Sequence, residues 1–101
     1  DRIAELVGQL FGEGRIAEVN PAAEDLLGTS AHRLIGGRLA DRIGPLDHRV
    51  LSRLTGGGEG LVARDLAIRV AGREMRVNLT ASPLGGFPGW RVVTLSQIGH
   101  D

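Results

Sequence analysis

The 101-residue chain reads as an α+β domain, a five-stranded antiparallel sheet with short helices grouped on one face. Three patterns carry that expectation. A helix with both ends written into it occupies Asn20 to Gly28, a strand pair around a Gly-rich turn precedes it, and three strand-like runs follow between Leu66 and Leu95. Two strands, a helical crossover and a three-stranded meander together group the helices on one side of the sheet.

The first element is ambiguous in its period. Ile3, Leu6, Val7 and Leu10 share a helical face, yet Leu6, Gly8 and Leu10 alternate as a strand does. The turn Phe11-Gly12-Glu13-Gly14 needs a strand before it if Arg15–Val19 is to pair, so a short helical lead-in and then a strand near Leu6–Phe11 are expected. Next, Asn20 suits a helix cap and Pro21 the first helical position, where a missing N–H costs nothing. Ala22, Ala23, Glu24, Leu26 and Leu27 favour the helix, and Gly28 ends it by taking a left-handed conformation. As a pure cap, Asn20 should tolerate Asp or Ser almost without cost, while Ala should cost about 0.5–2 kcal/mol.

Ser30 is placed to cap a one-turn helix ending at Gly36-Gly37, and Asp41 to open another short turn. A longer helix is expected over Pro45 to Leu54, with Leu46, Val50, Leu51 and Leu54 on one face and Gly56-Gly57-Gly58 stopping it. Leu66, Ile68 and Val70 then alternate with polar or small residues, as do Met75, Val77, Leu79 and Ala81. Ala71-Gly72-Arg73 is short enough for a hairpin. The last run, Trp90 to Leu95, is apolar on both faces, as expected of a central strand.

Composition narrows the function classes. Apolar residues make up 42% of the chain and supply a core from aliphatics, since Phe11, Phe87 and Trp90 are the only aromatics. Twelve Arg balance twelve acidic residues without clustering, and there is no Lys, so a nucleic-acid surface is not expected. The absence of Cys excludes disulfides, thiolate metal sites and Cys nucleophiles. No apolar run approaches the roughly 20 residues that span a bilayer, and no signal-peptide pattern opens the chain.

The run Asn20-Pro21-Ala22-Ala23-Glu24 with Leu26-Leu27, then Ser30, Leu34 and Gly36, resembles the entry to a PAS domain. Gly72-Arg73, Ser82-Pro83-Leu84 and Val92-Val93-Thr94-Leu95 extend the likeness. It covers about Glu5 to Ile98, and the chain more particularly resembles the N-terminal PAS domains of nitrogen-regulation (NtrB-type) sensor histidine kinases. The resemblance implies the PAS fold, with sheet order 2-1-5-4-3, helices enclosing a small cavity, and one domain over 1–101: lead-in 1–5, core 6–98 and connector start 99–101. In one departure, Gln97-Ile98-Gly99 stands where many such domains carry Asp-Ile-Thr at the junction to their output helix.

Sharper chemical readings fare poorly. His32, His48 and His100 have no metal-ligand spacing, and His48 points away from the apolar face of its helix, so neither metal nor haem is expected. Cysteinyl–flavin photochemistry is excluded with Cys. Glu24, Asp25 and Asp41 belong to no catalytic motif, and Gly12-x-Gly14 and Gly56-Gly57-Gly58 are turns rather than phosphate loops. Arg69, Arg76 and Arg91, on strands, could pair with Glu74 or meet an anion. Asn20 is assigned to the cap in preference to a pocket gate. Candidate pocket-lining residues are Leu46, Val50, Leu66, Ile68, Val77 and Leu79, whose bulk can fill the cavity. Candidate dimer contacts are Ile3, Leu6, Val7 and Leu10. The expectation is a non-catalytic, cofactor-free sensor and dimerisation module of a bacterial two-component system. It would sit in the cytoplasm as a homodimer, touch neither nucleic acid nor membrane, and relay a nitrogen signal to a kinase domain of the same polypeptide. The alternative is a small-molecule receptor domain of another signalling protein.

Overall fold

The computed structural model describes residues 3–9, 15–44, 49 and 60–98. Five strands form one antiparallel sheet: β1 (Ala4–Gln9), β2 (Arg15–Val19), β3 (Leu61–Val70), β4 (Arg73–Pro83) and β5 (Trp90–Gln97), in spatial order β2-β1-β5-β4-β3. Among the described residues, three short helices, α1 (Pro21–Leu27), α2 (Ala31–Leu34) and α3 (Leu39–Ile43), lie between β2 and β3 in the chain. Of the expected helix over Pro45 to Leu54, only Arg49 is among the described residues, and it is helical.

One face of the sheet makes the core. Ala4 and Leu6 of β1, Ile16 of β2, Ile68 and Val70 of β3, Met75, Val77, Leu79 and Ala81 of β4, and Val93 and Leu95 of β5 are buried together with Ala23, Leu27, Leu34, Leu39 and Ile43 of the helices. Leu6 pairs with Val93 and Leu79 with Leu95, so the inward rows run unbroken across the three middle strands. The outward rows hold Val7 opposite Val92 and Thr80 opposite Thr94, whose hydroxyls hydrogen-bond to each other. Central β5 thus buries Arg91, Val93 and Leu95 on the core side and carries half-buried Trp90, Val92, Thr94 and Ser96 on the other.

Three local features depart from the sequence reading. β1 begins at Ala4, so Ala4 and Glu5 belong to the strand rather than a helical lead-in. A helix-compatible pattern this short yields to pairing with strands on both sides. β3 starts at Leu61, well before the first recognisable alternation at Leu66, because a bulge intervenes: Ala63 faces Leu79 and Leu66 faces Val77, which leaves one extra residue on β3. Arg64 and Asp65 are consecutive and both exposed, so the period-two signal breaks there. The β3–β4 turn is Ala71-Gly72 alone, with φ of 51° and 82°.

The edge of β2 is closed by the segment after α2. Ile16 N–H donates to Gly37 O (2.9 Å), Gly36 N–H donates to Ile16 O (2.8 Å), and Arg15 Nη1 donates to Gly36 O (2.8 Å). Covering an edge in this way removes a template for unwanted strand pairing. It also anchors α2 to the sheet.

Candidate functional site

The helix layer is positioned from Asn20 outward. Asn20 holds extended backbone angles at the N-cap of α1, Pro21 follows at the first position, and Gly28 ends the helix at φ 67°. Its Oδ1 accepts from Ala23 N–H at 2.8 Å, the usual cap bond. The same oxygen accepts from Glu5 N–H at 3.0 Å, and Nδ2 donates to Ile3 O at 3.0 Å. A cap therefore accounts for only one of three side-chain bonds. Asp would forfeit the donor and set a carboxylate against the Ile3 carbonyl, and Ser is too short to keep the strand bonds. The near-neutrality expected of Asp and Ser is corrected accordingly.

Glu24 extends the arrangement. Its Oε2 accepts from Ala31 N–H at 2.5 Å and so caps α2, while Ser30, at the N-cap position, makes no side-chain cap bond. Glu24, Asp25, Gly28, Thr29 and Ser30 border a shallow, open groove. No cluster of three or more His, Cys, Asp or Glu suited to a metal ion occurs among the described residues.

The candidate pocket-lining residues meet in the core. Ile68, Val77 and Leu79 are fully enclosed and Leu66 is half-buried against them, while Leu46 and Val50 lie outside the described residues. The candidate dimer contacts do not share a surface. Leu6 is only 2% exposed and belongs to the helix-covered core, which corrects its assignment to a partner surface. Val7 is half-buried on the opposite face, Ile3 is exposed, and Leu10 lies outside the described residues. Alternation along β1 forces this split, since neighbours on a strand point to opposite faces.

The strand arginines also separate. Arg76 pairs with Asp65 across the bulge, through Nε to Oδ1 at 2.5 Å and Nη2 to the Asp65 carbonyl at 3.0 Å. Asn78 Oδ1 accepts from Asp65 N–H at 3.0 Å, which holds the left-handed Asp65 (φ 56°) in place. The Arg76 hydrogen bond, aided by its charge, holds the Asp65 carboxyl below its ordinary value and raises the Arg76 guanidinium. Arg69 stands opposite Glu74. Arg91, grouped by sequence with these exposed residues, is 5% exposed, facing inward between Gly8 and Pro83 in the sheet register. Its position on the central strand, two residues before buried Val93, was the signal available for this.

Comparison with known proteins follows the same lines. The PAS fold family profile matches residues 9–97. No curated protein matches the chain significantly. Among solved structures, the chain is similar to the PAS domain of nitrogen regulation protein NR(II) from Vibrio parahaemolyticus, with 28% identity, TM-score 0.77, and coverage of 95% of this chain and 89% of that one. It is also similar to the blue-light activated histidine kinase EL346 of Erythrobacter litoralis, at 18% identity and TM-score 0.81, over 98% of this chain but only 34% of the kinase. The PAS domain of an HTR-like protein from Haloarcula marismortui matches at 19% identity and TM-score 0.73, covering 97% of this chain and 88% of that one. The last two likenesses concern the fold alone. With its family profile spanning most of the sequence and its sheet in the order β2-β1-β5-β4-β3, the chain belongs to the PAS family.

Proposed function

We propose that this PAS domain is the non-catalytic sensor and dimerisation module at the input end of a two-component sensor histidine kinase, in the cytoplasm, relaying a nitrogen-status signal to a kinase domain of the same polypeptide. The observation that carries the reading is the 28% identity to the NR(II) PAS domain over nearly the full length of both chains. The described residues present a packed aliphatic core and an open groove. In this reading Leu66, Ile68, Val77 and Leu79 fill the space under the helices, so signalling needs no bound cofactor. Dimerisation uses the outer face of the sheet, where Val7, Trp90 and Val92 are half-buried and Val62 is exposed.

The test is to express the chain with its natural continuation beyond Asp101 and follow autophosphorylation from labelled ATP. An acid-labile, histidine-linked phosphate on the continuation supports the reading. A continuation that takes up no phosphate and carries another output activity overturns the kinase assignment.

A further inference from the structure

We propose that Asn20 is a latch that makes the order of α1 and the order of the entry to β1 depend on each other. The reason lies in how one residue ends a strand ladder and begins a helix at the same point. Asn20 N–H donates to Glu5 O at 3.0 Å and so prolongs the β1–β2 ladder by one rung. In an antiparallel rung the return bond would come from Glu5 N–H to the Asn20 carbonyl. That carbonyl is already committed to the helix, accepting from Ala23 N–H (3.0 Å) and Glu24 N–H (3.2 Å). The side chain takes its place: Oδ1 accepts the Glu5 N–H that the backbone cannot.

Oδ1 therefore has both lone pairs in use, one toward the helix (Ala23) and one toward the strand (Glu5). Nδ2 adds a third tie to the carbonyl of Ile3, the residue just before β1. Only a short carboxamide supplies an acceptor and a donor on one rigid fork at this length. The link continues through Glu24, whose carboxylate on α1 holds the first N–H of α2. Motion of the chain leading into β1 is thus opposed by the first turn of α1, and α2 hangs on the same helix. By linkage the reverse holds: an event that shifts α1 loosens the lead-in by the same free energy. The latch rests on the geometry of this chain and stands whatever output domain follows it.

Coupling is tested by a double-perturbation cycle read by amide hydrogen exchange. The full chain and a chain lacking residues 1–3 are compared in the native and Asn20→Ser backgrounds, with the Leu79 amide of β4 as the control for global stability. In the native background, removing residues 1–3 should speed exchange at Ala23 and Glu24 by roughly 3–10-fold, the effect of one hydrogen bond of ordinary net strength. In Asn20→Ser, where the ties to Ile3 and Glu5 are already gone, the same truncation should leave those amides within about 2-fold. Equal acceleration in both backgrounds, or none in either, overturns the latch. Should Asn20→Ser not fold, Asn20→Asp serves instead: it keeps the cap acceptor but lacks the donor to Ile3, and truncation, which also removes the carbonyl facing the new carboxylate, should not speed exchange at α1.

Discussion

Ala71 is held at φ 51° beside Gly72 at φ 82°, a two-residue turn with both central positions left-handed. An L-residue with a Cβ pays for that conformation, and Asn pays least after Gly. Ala71→Asn should therefore stabilise the protein by about 0.5–1 kcal/mol, read as a higher urea midpoint with an unchanged slope. Asp65, also left-handed, needs no such repair because Asp tolerates the region and Asn78 holds its N–H. Its carboxyl titrates below the ordinary value because of Arg76. A depressed carboxylate contributes stability that is present above its unfolded pKa and is lost as pH falls through the folded one. Arg76→Gln should return Asp65 to an ordinary titration, followed by NMR of the side-chain carboxyl, and should abolish this contribution to the acid-side loss of stability. The pair is exposed, so added salt should weaken the effect in the native chain.

Between elements, close approach decides which residues are tolerated. A Cβ on Gly8 would stand 2.3 Å from the Arg15 carbonyl oxygen, at the bulge where β1 meets β2. The atom in the way is backbone and cannot swing aside. Gly8→Ala should destabilise by about 1–3 kcal/mol, the usual cost of overpacking, with the loss of protection centred on β1 and β2 amides. Helix α2 has four residues, too few to persist alone, and depends on Glu24 at its start and on the Gly36–Gly37 link to β2. Glu24→Ala leaves the Ala31 N–H without its acceptor and should cost about 1 kcal/mol, whereas Glu24→Gln, which keeps an acceptor, should cost less. Thermal midpoints of the two variants make the comparison.

At the scale of the whole molecule, the two faces of the sheet have different fates, and adjacent residues of β1 report them. Leu6 lies under the helices and Val7 on the outer face. Leu6→Ala should cost about 2–5 kcal/mol, as deletion of a buried leucine does, whatever the oligomeric state. Val7→Glu should leave the unfolding free energy of the monomer close to native and instead dissolve the proposed homodimer. Light scattering and sedimentation across a concentration series check both. A Val7→Glu chain that remains dimeric would move the interface off this face.

Signals that depend on neighbouring residues were legible in the sequence. Asn20-Pro21 to Gly28 defines α1 because a cap, a proline and a terminal glycine each act within a few residues, and β4 reads cleanly because nothing interrupts its period. Arg15–Val19 and the two-sided β5 were recognisable for the same reason. The tertiary structure decided what rests on distant partners. A bulge concealed the first half of β3 by adding one residue to a pattern of period two. Pairing on both sides made a strand of Ala4–Gln9, whose short apolar pattern suits either period. Leu6 and Arg91 went inward because the sheet has one covered face, which no single strand specifies. Asn20 reaches Ile3 and Glu5, residues 17 and 15 positions away, because β1 and β2 are paired. Capping is local chemistry; the second use of the same side chain exists only once the sheet has brought its partners alongside.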